Sequence, residues 1–224
     1  MQGTGINIGI GGIYRATEDL NIGLSLTSPT LMRNRETALS TISITPNGDA
    51  VETNFTTINT SPNEFNYRMT SPLRANVGGA YFLPNRIGVI NAEVEYVGYG
   101  RMGIKNKEFT AWTTEQQSAI NQVYNDAINL KIGGEVRLGP ARLRAGFNKL
   151  GNPLEVNDGV DRSLSILTAG AGLRFKRFFA DFAVNSVKTQ YSLTPYELVN
   201  VTDFSSVLID SRKTTLSLSL GTFF

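Results

Sequence analysis

Nine stretches of this 224-residue chain alternate apolar with polar or small residues at a period of two. In Leu20-Asn21-Ile22-Gly23-Leu24-Ser25-Leu26-Thr27 every even position is apolar and every odd position is small or polar. That period belongs to a β-strand with one apolar face, because successive side chains point to opposite sides. The pattern also runs through Ile6 to Tyr14, Leu73 to Leu83, Ile90 to Tyr96, Leu130 to Leu138, Ala141 to Phe147, Leu167 to Phe175, Ala180 to Val184 and Leu216 to Phe224. Strands of about 9–12 residues are long enough to cross a bilayer when tilted.

The connections alternate in length as well. Short turns fall at Thr17-Glu18-Asp19, Pro84-Asn85, Gly139-Pro140 and Lys176-Arg177, and long polar connections at 30–64, 100–128, 149–163 and 187–212. Short turns at one end and long loops at the other is the layout of outer-membrane barrels. Pro72 lies near a strand core and has no N–H to donate, so a strand start, bulge or bend is expected there. Two segments break the pattern. Ala119, Ile120, Val123, Tyr124 and Ala127 follow Thr113-Thr114-Glu115-Gln116 at helical spacing, which predicts a short helix over 114–127 in a long outer loop. Ser40 to Thr57 reads as a hairpin extension around Pro46-Asn47-Gly48-Asp49. No domain boundary is visible, so residues 1–224 are expected to belong to a single barrel domain.

Alternation alone also fits a soluble β-sandwich. The polar face separates the two. In a sandwich it meets water and should be rich in Lys, Glu, Thr and Ser; here it is rich in Gly, Asn and Ser, with a few charges of both signs. Arg74, Lys131, Arg137, Arg142, Arg144 and Arg174 share that face with Glu93, Glu95, Glu135 and Asp181, and would form an ion-pair network in a confined lumen. No charged residue stands on the apolar face of the nine stretches between their ends, as lipid contact would require: Arg or Lys at mid-bilayer on that face costs about 2–4 kcal/mol. The expected fold is therefore all-β, a transmembrane antiparallel up-and-down barrel, closed so that every backbone group is paired in lipid.

Composition narrows the function. The chain has no Cys and no His, which removes thiolate chemistry, most zinc sites and the usual neutral-pH base. No enzyme activity and no cofactor are expected. A net charge of +2 argues against nucleic acid as a partner. No run approaches the ~20 apolar residues of a membrane helix. Residues 1–15 lack the basic and apolar regions of a signal peptide, so both a mature and an internal start fit. Glu93 and Glu95 share a face and could in principle bind Ca²⁺ or do acid–base work; the arginines opposite favour a structural pairing. Asn157-Asp158 with Asp161 lacks an EF-hand pattern, so no metal site is assigned. Gly9-Ile10-Gly11 belongs to a strand and is not a phosphate loop. Tyr14, Tyr81, Phe82, Tyr96, Tyr99, Phe175, Phe178 and Phe179 lie near strand ends and read as interfacial aromatic girdles.

Several stretches, taken in order, resemble the C-terminal part of the FadL-type family of outer-membrane transporters for long-chain fatty acids and other hydrophobic compounds, in its Bacteroidetes version. They are Gly11-Gly12-Ile13-Tyr14-Arg15-Ala16-Thr17 with Leu24-Ser25-Leu26-Thr27-Ser28-Pro29-Thr30, then Ser71-Pro72-Leu73-Arg74, then Asn91-Ala92-Glu93-Val94-Glu95-Tyr96-Val97-Gly98-Tyr99. Ile132-Gly133-Gly134-Glu135-Val136-Arg137-Leu138 and Leu143-Arg144-Ala145-Gly146-Phe147 continue the likeness. The ending Leu218-Ser219-Leu220-Gly221-Thr222-Phe223-Phe224 resembles the aromatic-ended last strand that such barrels present to their insertion machinery. The resemblance implies a 14-stranded barrel plugged by an N-terminal hatch. The nine stretches correspond to strands 6–14, with the hatch and the first strands absent. It also implies the bacterial outer membrane, membrane lipid and the insertion machinery as partners, and passive uptake of a hydrophobic small molecule. On that reading Phe109, Trp112, Ile120, Val123 and Tyr124 in the outer loop are candidate capture residues, although an amphipathic helix also simply packs its apolar face on the barrel rim. Arg74, Arg142 and Arg144 are candidate partners for a carboxylate, against an internal ion-pair network as the plainer reading. A scaffold barrel in a secretion system is the alternative function.

Overall fold

The computed structural model describes residues 2–38, 41–44, 56–59, 63–155, 159–193 and 206–222. The strands are β1 (Gln2–Ile6), β2 (Gly9–Arg15), β3 (Leu20–Thr27), β4 (Leu31–Ala38), β5 (Thr41–Ile44), β6 (Thr56–Asn59), β7 (Asn63–Thr70) and β8 (Leu73–Phe82). They continue with β9 (Gly88–Gly98), β10 (Gly103–Lys105), β11 (Ala127–Leu138), β12 (Ala141–Leu150), β13 (Leu164–Arg174), β14 (Phe178–Leu193) and β15 (Val207–Thr222). One α-helix, α1, spans Thr110–Val123 between β10 and β11.

All nine predicted strands join one antiparallel sheet in the order β15-β14-β13-β12-β11-β9-β8-β3-β2. Among the described residues β2 and β15 are its open edges and do not pair with each other. The face assignment follows directly from the register. Leu138, Ala141, Leu173, Ala180 and Leu220 form one cross-strand row, and Val136, Leu143, Ala171, Phe182 and Leu218 form the next row on the same face. Apart from the half-buried Ala141 and Ala180 these side chains are exposed, Leu218 and Leu220 by 70% and 73%, as is Leu216 on the same face by 66%. Among the described residues only Val97, Ala127 and Val160 are buried apolar side chains. Among the described residues no second sheet covers the apolar face, so the sandwich alternative is excluded. An apolar face this large is incompatible with water.

The belt of apolar residues runs obliquely across the sheet. On β15 it occupies Leu216 to Leu220 and on β2 Ile10 to Tyr14, and tracing the register from strand to strand shows a displacement of six residues between them. Six residues are ~20 Å along a strand, and eight strand spacings are ~38 Å across the sheet. The strands therefore lean by roughly 30° from the belt's normal, in the sense that a tilted barrel wall requires.

Four strands of the wall break and continue outward as a second sheet. The order β1-β4-β7-β10 repeats that of β2-β3-β8-β9, and each outer strand is the continuation of its wall strand. Two of the breaks contain proline: Ser28-Pro29-Thr30 and Ser71-Pro72. Pro72 thus lies directly before β8, where a strand start or bend was expected. Side chains close the seam. Thr30 N–H donates to Ser71 Oγ at 2.8 Å, Ile8 N–H to Ser28 Oγ at 2.9 Å, and Asn7 Nδ2 to Thr30 Oγ1 at 3.0 Å.

Several sequence expectations need correction. The connections 30–64 and 100–128 also hold β4, the start of β7 and β10, whereas the antiparallel β5–β6 pair agrees with the hairpin extension expected over 40–57. Connection 187–212 is shorter than expected because β14 and β15 are 16 residues each. The turn at Pro46-Asn47-Gly48-Asp49, the Asn157-Asp158 pair and the terminal Phe223-Phe224 lie outside the described residues. Helix α1 starts and ends four residues earlier than predicted. Asn106 sets the start, its Oδ1 accepting from the N–H groups of Glu108 and Phe109 at 2.7 and 2.9 Å. Thr113 and Thr114, read as a cap, lie inside the helix and bond back to the carbonyls of Phe109 and Thr110. Tyr124 then turns extended and bridges to Leu154, which ends the helix. Among the aromatics, Phe82 and Phe179 fall on the charged face by register rather than on the apolar one. Gly139, at φ +60° in the β11–β12 turn, adopts a conformation that favours glycine.

Candidate functional site

The charged face of the wall holds two networks. On β9 and β11, Lys131 Nζ stands 2.8 Å from Glu93 Oε1 and 3.1 Å from Glu95 Oε2, and Asn129 donates to Glu95 at 2.9 Å. The second centres on Glu135. Its Oε1 accepts from Arg137 at 2.6 Å and Arg142 at 3.2 Å, and its Oε2 from Arg144 at 2.7 Å. Arg144 reaches on to Asp181 at 2.8 Å, and Arg174 lies 3.9 Å from the other Asp181 oxygen. The side chains of Glu95 and Glu135 are only 12% and 16% exposed. The register is the cause: Glu135 opposes Arg144, and Lys131 opposes Glu93. Of the ten residues expected in this network, nine are thus ion-paired. Arg74 is the exception; it opposes Val97 and makes no ion pair among the described residues.

Next to this charged region the same face hollows out. Gly11, Gly23, Ser25, Asn76 and Gly78 on β2, β3 and β8 leave a cleft of about 720 Å³ bounded by Asn91 and Glu93. Asn76 donates to Ser25 Oγ at 3.1 Å, while its carbonyl oxygen is buried with no partner in the structure. Small residues on one side and a charged wall on the other give this face both space and polarity.

The outer sheet carries a different arrangement. Arg33 on β4 lies directly opposite Arg68 on β7, which lies opposite Lys105 on β10. Among the described residues none of the three makes an ion pair, although like charges directly opposite are destabilising. Two clefts share these cations. One, of about 650 Å³, adds Asn34, Asn66, Tyr67 and the start of α1; the other, of about 550 Å³, adds Ile6, Leu31, Met32 and Met69. A polar cleft and a partly apolar one thus meet at three cations. Sequence reasoning missed this site, because no motif joins positions 33, 68 and 105; only the register does. Tyr67 donates to Glu36 at 2.7 Å, and that carboxylate holds the Tyr67 hydroxyl above its ordinary pKa.

The candidate capture residues are only partly brought together. Phe109 and Trp112 lie against Phe65, with ring centroids at 5.5 and 5.0 Å, and Trp112 meets Tyr67 edge-on at 6.4 Å. Ile120 and Val123 sit toward the far end of α1, and Tyr124 pairs with Leu154. Gln117 ties the helix to edge strand β10: its Oε1 accepts from Ile104 N–H at 3.2 Å and its Nε2 donates to Met102 O at 3.1 Å. Among the described residues no group of acids or ligating side chains could hold a metal ion.

Taken together, a tilted antiparallel wall with an exposed apolar belt and an ion-paired inner face is the architecture of a β-barrel membrane protein. The particular likeness is to two solved structures, the toluene transporter TbuX of Ralstonia pickettii and the toluene transporter TodX of Pseudomonas putida. The chain is 16% and 15% identical to them, with a TM-score of 0.50 in each case and 96% and 97% of its own length covered. It spans about half of each, 47% and 48%. The resemblance to FadL-type barrels expected from the sequence is therefore present in the fold. No family model matches the sequence, and no curated protein matches it either.

Proposed function

We propose that this chain forms part of the wall of an outer-membrane barrel through which hydrophobic small molecules pass inward by diffusion, without an energy source. The observation that carries this reading is the exposed apolar belt on one face of the wall, backed by a polar, ion-paired face with a 720 Å³ hollow. Bilayer hydrocarbon is the medium that suits such a belt. The likeness to two transporters of a hydrophobic compound supports the same reading. A scaffold barrel needs no hollow of this kind.

The outer sheet narrows the ligand class. Its cations favour a hydrophobic molecule with a carboxylate, such as a long-chain fatty acid, over a neutral hydrocarbon. Arg33, Arg68 and Lys105 would hold the carboxylate, and Phe109 and Trp112 would offer apolar surface near the α1 start. Ile120 and Val123 lie toward the far end of that helix, and Tyr124 follows it, bridged to Leu154. Arg68 precedes Arg74 by six residues on the same strand parity, so Arg74 is the next cation inward. Arg142 and Arg144 are already held by Glu135 and Asp181, which makes them a stiffening network first and carboxylate partners second.

The test is native mass spectrometry of the full-length protein extracted in mild detergent, paired with uptake by cells lacking it. A co-purified hydrophobic molecule and an uptake defect are expected. No such molecule across several preparations, together with unimpaired uptake, would remove the transporter reading in favour of a scaffold.

A further inference from the structure

The outward face of the wall changes character where its apolar belt ends toward the long-loop side. One cross-strand row there reads Leu130, Lys149, Ser165, Lys188 and Arg212 on β11 to β15. Lys149 stands two residues beyond Phe147 on this face. Lys188 and Arg212 stand four beyond Val184 and Leu216, with Ser186 and Thr214 between. These offsets are ~7 and ~13 Å along the strands. The headgroup layers of a bilayer occupy roughly 5–8 Å beyond each side of the hydrocarbon, and long basic side chains bend toward that layer. The extended ends of β14 and β15 place Lys188 and Arg212 on a face that carries no charge within the belt.

Lys188 and Arg212 lie directly opposite each other, and among the described residues neither makes an ion pair. Such a pair repels unless an anion bridges it. Nearby acids do not fill that role. Asp210 is held by the Gln190 amide at 2.7 Å, and Asp161 accepts from Ser163 N–H at 2.9 Å while lying 3.8 Å from Lys149. Lys149 donates to Ser163 Oγ at 2.6 Å and Ser165 Oγ at 3.3 Å, which fixes its ammonium beside the row. A cleft of about 140 Å³ opens among Lys149, Asp161, Ser163, Ser165 and Lys188, with the Asp161 carboxylate on the side held by Ser163 and Lys149.

We propose that Lys149, Lys188 and Arg212 bind the phosphate of a membrane-lipid headgroup in the leaflet on the long-loop side. The inference rests on the reading that the apolar belt lies in a bilayer. The cations supply charge, the Ser165 hydroxyl supplies a further donor, and the belt below receives the acyl chains of the same lipid.

The test reconstitutes the full-length protein in nanodiscs of phosphatidylcholine containing one-fifth phosphatidylglycerol, or one-fifth of a phosphorylated glycolipid. Lipids retained on gentle release are counted by native mass spectrometry. The wild type should retain phosphorylated anionic lipid over phosphatidylcholine, and the preference should fall about fivefold for each cation replaced by Gln. Lys188→Gln is the safest single variant, since the Lys188 side chain makes no hydrogen bond or ion pair among the described residues, while its backbone keeps its place in β14. Lys176→Gln with Arg177→Gln, in a short turn at the opposite end, should leave the preference intact. An equal loss in that control, or an unchanged preference in the Lys149/Lys188/Arg212 triple variant, would overturn the proposal. So would retention abolished by millimolar inorganic phosphate alone, which would indicate a free-anion site. Failure to enter nanodiscs at all would instead count against the membrane reading itself, and so against the proposal built on it.

Discussion

The wall and the outer sheet are made partly from continuations of the same strands, yet they solve opposite problems. In the wall, β9, β11, β12 and β14 place cations and acids on one face so that the register neutralises them, and the apolar side chains face outward. In the outer sheet, β4, β7 and β10 place three cations in one row with no acid against them, and the aromatic side chains Phe65, Tyr67, Phe109 and Trp112 cluster together. The difference separates a surface built to persist from a surface built to receive. Paired charges stiffen a wall, whereas unpaired like charges hold repulsion that an incoming anion relieves.

The largest effect should come from reversing the belt. Leu24→Arg puts a charge on the apolar face of β3 and should cost about 2–4 kcal/mol of assembly, read as a sharp loss of folded barrel in urea titrations from lipid vesicles. Ser25→Arg, one residue away on the polar face, and Gln116→Arg on the helix should be far milder. Equal damage at all three sites would erase the distinction between faces.

Next in size is the hub of the charged face. Glu135→Gln leaves three guanidinium groups short of their shared acceptor and should lower stability by about 1–3 kcal/mol, seen as a lower urea midpoint. Arg137→Gln removes a more exposed partner, 45% accessible, and should cost less. The outer sheet should respond in the opposite sense. Arg68→Gln relieves repulsion, so stability should hold or rise by up to about 0.5 kcal/mol, while capture of a carboxylate-bearing ligand should fall about tenfold and that of a neutral hydrocarbon should not. A stability loss like that of Glu135→Gln would dissolve the contrast between the two regions.

The smallest effect is a response to pH at the outer end. Tyr96 OH and Gly100 N–H donate to Asp126, and the tyrosine hydrogen bond holds this carboxyl below its ordinary pKa. A depressed carboxylate contributes stability above its unfolded pKa of about 4, and that contribution is lost as pH falls through the folded value. Hydrogen exchange of the Gly100 amide should therefore be protected at pH 6 and lose protection, relative to its intrinsic rate, near pH 3. The Asp126→Asn variant should show a flat profile.

What could be read from the sequence follows the same division. The nine wall strands were legible because one face meets only apolar surroundings, so the period of two in segments such as Leu20 to Thr27 is nearly unbroken. The ion pairs around Glu135 were legible as a set, since parity alone put them on one face. The outer strands were not. Leu31-Met32-Arg33-Asn34-Arg35-Glu36 is polar on both faces, because neither face is uniformly apolar in its surroundings, and so it carries no period. The row Arg33, Arg68 and Lys105 joins residues far apart in sequence, and only strand pairing reveals it. The helix boundaries were misplaced because Asn106 starts the helix from outside the amphipathic window, and Thr113 and Thr114 look the same in sequence as caps or as back-bonding residues.

The most direct measurement places single nitroxide labels along β15, at residues 216 to 220, in the full-length protein reconstituted in lipid vesicles. Labels at 216, 218 and 220 should be relaxed by dissolved oxygen and shielded from a water-soluble nickel complex, while labels at 217 and 219 should show the reverse. If instead the even positions proved immobile and shielded from both reagents, as in a dry protein interior, the chain would not be the wall of a membrane barrel.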